Sequence, residues 1–370
     1  MILLLTFIIT QAILLSHAHE LKGHEYAVSQ NRFFEEAGDF APGNFMNCRF
    51  IPGKGVLLTG LYKDASTSGV FVSQPVTAPF PMTELLPSWN IDRPTSTGFA
   101  VYFKVSPNGA EWSDWLYLGR DGIYPRPEER NLDFPGGKVD VDYILFEKPH
   151  RFYSWKVVLY SENPDASPVL KLFSVCAGNV EGDEELYEKF GNKKIAPQGK
   201  EIRLETKGRY QLADDPTIPK RMRGAICCPV SVAIVLDYLH HDLPSKQVCD
   251  LCYDRDYRLW GNWPRAAQTL SLFGLKSYVT QVRSVVEMRT WLAKELPLII
   301  SIKAYKGDLV SPPYKEAPGH IMVVSGMDEE GNLYINDPYD KAGVRLWTKE
   351  EIEKVHIDRG GVTIIAEPRK

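Results

Sequence analysis

Residues 227–238 read Cys227-Cys228-Pro229-Val230-Ser231-Val232-Ala233-Ile234-Val235-Leu236-Asp237-Tyr238, and the reading of this string decides the fold of the second half. Val232, Val235, Leu236 and Leu239 recur at helical spacing, so Val230 to Leu239 is expected to be a helix. Pro229 suits its first turn, where a backbone N–H has no intrahelical partner to lose. Cys227 then stands beside the helix start, where the dipole lowers a thiol from its reference pKa of about 8.5. Most free cysteines are small buried hydrophobes, so this thiol needs partners before it signifies chemistry.

Downstream, Asn262 can cap a helix with Pro264 at an early position; it runs through Ala266, Ala267 and Leu270 to Phe273 and stops at Gly274. Ser284 to Leu296 reads as a third helix. Leu298 to Ile302, Ile321 to Met327, Leu333 to Asn336 and Gly361 to Ile365 read as strands. Helices followed by an antiparallel sheet make an α+β domain. A catalytic thiol requires a histidine to take its proton, and His320 stands at the mouth of an apolar strand. The turn Asp328 to Asn332 sends the chain back to Asp337-Pro338, bringing Asp337 to the His320 end of one hairpin. A turn symmetric about Glu330 would oppose His320 to Asp340, so a bulge or offset is needed; Asp337 taken alone is a turn initiator at a strand end.

The first half reads as strands. Phe99 to Val105, Trp112 to Leu118, Val139 to Leu145, Tyr153 to Tyr160 and Val169 to Val175 alternate apolar and polar residues between Gly, Pro and Asn turns. That spacing predicts an all-β sandwich or jelly roll. Trp89, Tyr102, Trp112, Trp115, Tyr117 and Trp155 are either its core and edge packing or a platform for a cell-surface glycan, packing being the commoner role.

At 370 residues the chain is long enough for two domains. Its net charge of −4 gives no electrostatic case for nucleic acid or anionic lipid. Ile2 to Leu15 is apolar but shorter than the ~20 residues a spanning helix needs, and Ser16-His17-Ala18 resembles a cleavage site. The expected layout is a signal peptide over 1–18, the β-sandwich over 19–180, a charged linker over 181–205 and the second domain over 206–370. The expected location is extracytoplasmic and bacterial, with no integral membrane segment. Such a compartment permits disulfides, with Cys48–Cys176 a candidate staple. Cys249-x-x-Cys252 with His240 and His241 is a poorly spaced zinc set, so a disulfide or buried thiols are favoured there; no metal or cofactor is expected.

The string from Cys227 to Tyr238 resembles the Cys-Gly/Ser-Pro-Thr-Ser helix start of papain-like cysteine peptidases. Within them it is most similar to the bacteriocin-processing, double-glycine-leader peptidase family and its stand-alone exported branch. Gly319-His320 before an apolar strand, and then Asn336-Asp337-Pro338, resemble that family's His and Asp motifs in order and spacing. Gly261-Asn262-Trp263-Pro264 and Glu295 to Ile302 resemble the exported branch, in which a β-sandwich commonly precedes the peptidase; the likeness runs from Pro219 to Glu367.

The resemblance implies a papain-like fold with Cys227 as nucleophile, His320 as base and then acid, Asp337 orienting the imidazole, and an acyl-enzyme resolved by water. It departs at Cys228, where the family has Gly or Ser. It departs again at Arg221, six residues before Cys227, where the family has a Gln oxyanion donor; Arg has the donors to fill that role. The exporter-fused members cut leaders after a double glycine, but no transmembrane bundle or Walker-type motif is read here, so that substrate is not carried over. The expectation is an exported thiol peptidase acting on a peptide or protein. The alternatives are a cell-wall amidase or peptidoglycan endopeptidase with the same triad, and a non-catalytic binding protein.

Overall fold

The computed structural model describes residues 25–61, 66–125, 133–191 and 199–369; the expected signal peptide lies outside them. The chain divides into two compact units: Gln30–Asn179, and a second made of the residues from Val180 onward together with the described residues up to Ser29.

The first unit is built of strands. Tyr143–Ser161 pairs on one side with Thr67–Val72 and on the other with Thr97–Ser106, and Thr97–Ser106 in turn pairs with Leu116–Gly122. Val169–Asn179 pairs with Val76–Asp92 and Gly55–Leu58. Trp155 on Tyr143–Ser161 stacks on Phe173 of Val169–Asn179, with ring centroids 4.0 Å apart. No ladder joins those two strands, so they meet face to face across a core that also holds Phe71 and Phe103.

Val76–Asp92 is a strand that the sequence conceals. It carries Pro79, Pro81 and Pro87, which argue against a paired strand. Pro79 and Pro81 fall where the register against Tyr143–Ser161 is broken, between the pairs Thr77–Phe152 and Met82–His150. Pro87 falls where the strand pairs with Val169–Asn179 alone, so one edge needs no donor. Val139 to Leu145 is not one strand either. Gly137–Asp140 and Tyr143–Ser161 form a hairpin across Val141 and Asp142, with Val141 at φ 58°.

The aromatic set divides. Trp89, Tyr117 and Trp155 are buried in the core, while Tyr102, Trp112 and Trp115 are half-buried. The Lys156 ammonium covers Tyr102 at 4.3 Å and Trp115 at 4.5 Å, so the set is not one open platform. The Cys48–Cys176 staple is absent: neither sulfur is in a disulfide, and Cys48 Sγ donates to the Val70 carbonyl at 3.2 Å.

The stretch read as a linker is partly ordered structure. Glu184–Phe190 is a helix capped by Asp183, and Ile202–Arg203 adds an antiparallel edge to the strand ending at Met327.

In the second unit α1 (Cys227–Tyr238), α2 (Ser245–Cys252) and α3 (Trp263–Ser271) precede β1 (Leu275–Gln281). Then come α4 (Val285–Leu292), β2 (Leu298–Ala304), β3 (Ala317–Met327), β4 (Leu333–Asn336), β5 (Val344–Trp347), α5 (Lys349–Val355) and β6 (Val362–Pro368). The sheet is antiparallel in the order β1-β6-β2-β3-β4-β5, and α1 packs on β3. Asn262 caps α3 by accepting from the Arg265 N–H at 2.8 Å, and Ser284 caps α4 through Glu287.

The Cys-x-x-Cys pair lies on α2 as free buried thiols, Cys252 facing Thr269, while the His241 ring rests on Phe273. Among the described residues no helix is long and apolar enough to cross a membrane.

Candidate active site

The structure starts α1 at Cys227, two residues before Pro229, so the thiol belongs to the first helical turn. The first closing bond runs from the Val230 N–H to the Ile226 carbonyl at 3.1 Å. The Cys227 amide precedes it, the Cys228 amide bonds to the Cys227 sulfur, and Pro229 has no N–H to lose. One turn on, Ser231 Oγ donates to the Ile321 carbonyl at 3.0 Å. That bond fixes the Cys227 face of α1 against the strand position next to His320. Cys228 is fully buried and Cys227 half-buried, so only the first of the two thiols opens onto the cleft.

His320 lies near the start of β3, opposite Ile302 of β2. The β3–β4 hairpin carries one irregularity at Ser325. Met327 and Gly326 pair with Leu333 and Tyr334, whereas Val324 and Val323 pair with Ile335 and Asn336. One residue further, Asp337 stands across from Met322, and His320 is the next residue on that same face. Bulge and diagonal offset together bring Asp337 Oδ1 to 2.6 Å from His320 Nε2.

A carboxylate only accepts, so the Nε2 proton sits in this bond and leaves Nδ1 for the thiol. Asp337 is 1% exposed and also accepts from the Tyr314 hydroxyl at 2.7 Å and the Tyr339 N–H at 2.8 Å.

These contacts set the charges. Burial pushes the Cys227 thiol up, but the His320 hydrogen bond and charge, with backbone bonds at Ile321 and Cys228, outweigh it and carry its pKa down. Burial likewise opposes protonation of His320, and Asp337 and Cys227 overcome it, so its pKa rises. The Asp337 carboxyl, which burial alone would raise, is held low chiefly by the His320 charge. Elsewhere burial prevails: the Cys48 thiol is pushed up to about 11, and those of Cys249 and Cys252 to about 12. The Cys227–His320 pair is therefore biased toward thiolate and imidazolium.

The cleft around them is lined by Ala225, Leu259, Trp260, Gly261, Trp263, Ser301, Gly319 and Ile321. Asn262, next to Gly261, donates to Asp254 at 3.1 Å, and Trp260 donates its indole N–H to the Cys249 carbonyl at 3.0 Å, which holds this wall in place. The arrangement sets a thiol, an imidazole and a buried carboxylate in the order that a nucleophile, a base and an orienter would need.

Arg221 is not brought to the cleft. It is exposed on the 3₁₀ turn Lys220–Ala225 and is not among the lining residues. The buried arginine of this cluster is Arg223, tied to the Ile218 and Asp215 carbonyls and to Asp214. The position of Arg221 therefore does not supply the oxyanion donor expected of it. Arg221→Ala is expected to leave kcat/KM within about threefold, inside ~1 kcal/mol of barrier; a hundredfold loss would restore Arg221 to the site.

Tyr314 is the site neighbour that sequence reasoning missed. It sits in a loop, 23 positions from Asp337, with no local pattern to mark it.

Residues 203–364 match the model of the Peptidase C39-like family, and residues 30–178 match that of a Peptidase C39 N-terminal domain. No curated protein matches the chain. Among solved structures, a double glycine motif protease from an AMS/PCAT transporter, in complex with the leader peptide, is 18% identical over 46% of this chain and 100% of that one, at a TM-score of 0.32. A structure described as a C39-like peptidase from Bacillus anthracis is 16% identical, with the same coverages and a TM-score of 0.35. The peptidase domain of Streptococcus ComA, a bifunctional ABC transporter of a quorum-sensing pathway, is 18% identical over 40% of this chain and 93% of that one, at 0.29.

Proposed function

We propose, from the premise that this chain belongs to the C39-like peptidase family through residues 203–364 and carries a C39 N-terminal domain over residues 30–178, that it is a thiol peptidase working through Cys227, His320 and Asp337. Family membership implies cysteine-type peptidase activity. The single observation that carries the residue assignment is the 2.6 Å bond from His320 to a buried Asp337, with the lowered Cys227 thiol on the other side of the ring.

In this mechanism the Cys227 thiolate attacks the carbonyl carbon of a peptide bond. The oxyanion is held by the Cys227 N–H at the start of α1, and imidazolium His320 gives its Nδ1 proton to the leaving amine as the C–N bond breaks. The thioester is then attacked by water, whose proton passes to His320, and the thiolate leaves again. Asp337 keeps the imidazole oriented and its charge balanced throughout.

The protein acts outside the cytoplasm in this reading, with residues 1–18 removed as a signal peptide. A cell-surface glycan would meet the first unit at Trp112, a half-buried tryptophan of its aromatic set.

The test is to incubate the full secreted chain with a proteome-derived peptide mixture and to sequence both the new peptide termini and the protein's own N-terminus. New termini that disappear when Cys227 is blocked by an electrophilic peptide support the peptidase. Absence of cleavage together with absence of labelling at Cys227 would overturn it.

A further inference from the structure

Asp337 must hold one oxygen toward His320, yet nothing in a carboxylate does that by itself. The terminal torsion of an aspartate is broad and nearly two-fold, so an unrestrained carboxylate turns. Here both oxygens are held. Oδ1 accepts from His320 Nε2 and from the Tyr339 N–H, and Oδ2 accepts from the Tyr314 hydroxyl at 2.7 Å. At 1% exposure no water replaces a lost donor.

The Tyr314 ring also stands edge-on to the imidazole, centroids 5.9 Å apart at 86°, and it rests against Trp347 and Tyr339. Its loop joins β2 to β3 and is anchored from α5. Glu351 there accepts from the Val310 and Ser311 amides and the Ser311 hydroxyl while also closing the capping box of its own helix. The tyrosine is thus delivered to Asp337 by a restrained segment.

We propose that Tyr314 is the positioning residue of the thiol site: its hydroxyl pins Oδ2 of Asp337 so that Oδ1 stays aimed at His320, while its ring walls the imidazole on one side. This rests on the reading of Cys227, His320 and Asp337 as nucleophile, base and orienter. A merely structural tyrosine would act through its ring. A positioning tyrosine acts through its hydroxyl, and the two separate in Tyr314→Phe.

Losing the donor frees Oδ2, so the carboxylate can turn and Oδ1 no longer holds its place at His320 Nε2. The imidazolium then loses its aligned partner, and the thiolate forms only at higher pH. In the full chain, Tyr314→Phe is expected to lower kcat by about 10- to 100-fold with KM within about twofold. The midpoint of Cys227 alkylation by iodoacetamide should move up by about one pH unit. The alkylation needs no substrate, and it reads Cys227 because the other cysteines are buried.

If Tyr314→Phe does not fold, 3-fluorotyrosine at the same position keeps the shape and changes only the strength of the donor, and the midpoint should shift. Wild-type kcat and an unmoved alkylation profile in the phenylalanine variant, or an unmoved profile in the fluorinated protein, would overturn the role of Tyr314 alone. A wild-type Cys227 that alkylates no faster than free cysteine would overturn the thiol-site reading and the role of Tyr314 with it.

Discussion

Cys227→Ala should abolish turnover, a loss on the order of 10⁴–10⁶ in kcat, while the thermal midpoint stays within a few degrees of wild type. The loss is large because every later step needs the covalent intermediate, and water at the same point lacks the thiolate's nucleophilicity. The fold should survive because Cys227 is only half-buried, and truncating a small half-buried side chain costs little.

The neighbouring thiol supplies the contrast. Cys228 is fully buried, so Cys228→Ser exchanges a weakly polar thiol for a buried hydroxyl and should cost ~1–3 kcal/mol of stability. Turnover per folded molecule should stay within about tenfold, or ~1.4 kcal/mol of barrier. Peptide kinetics alongside thermal melts of the two variants check both halves, and an essential Cys228 would shift the nucleophile by one residue. The lowered Cys227 pKa adds a pH signature: iodoacetamide should label wild-type Cys227 at a pH below that at which free cysteine begins to react.

What the sequence disclosed and what it hid divide along physical lines. Caps and turns are local, so Asn262 with Pro264 and the turn from Asp328 to Asn332 were legible, and the hairpin they imply brings His320 near Asp337. The register was not, because the one-residue irregularity at Ser325 leaves no mark in composition. Val76–Asp92 was hidden by its prolines, which are tolerated only because of where its pairing partners change. Leu275–Gln281 was hidden because nearly all of it is buried, so no alternation of apolar and polar faces appears. The disulfide reading treated Cys48 and Cys176 as a pair on compartment alone, and both are buried single thiols. Arg221 and Tyr314 exchanged importance for a tertiary reason. One lies on an exposed turn, and the other reaches Asp337 from a loop remote in sequence.

Asp337 carries two separable contributions, orientation and charge, and two substitutions divide them. In Asp337→Asn the amide oxygen can still accept from His320 Nε2 and the Tyr339 N–H, and the amide nitrogen can donate to the Tyr314 hydroxyl oxygen. Orientation is kept and only the negative charge is lost, so kcat should fall by about 10- to 100-fold. The carboxylate is what favours imidazolium, so His320 should then deprotonate at lower pH and the alkaline limb of kcat/KM should move down. Asp337→Ala removes the acceptor entirely. His320 is then free to turn, and kcat should drop by about 10³–10⁴. Three donors lose their buried acceptor at the same time, at ~1–3 kcal/mol each where no water reaches them, so the thermal midpoint should fall as well. The order alanine far below asparagine, with only asparagine keeping the native melt, follows from a carboxylate that three donors fix in place. Equal activity in the two variants would mean that the charge alone matters and that the hydrogen-bonded frame around Asp337 contributes nothing to turnover.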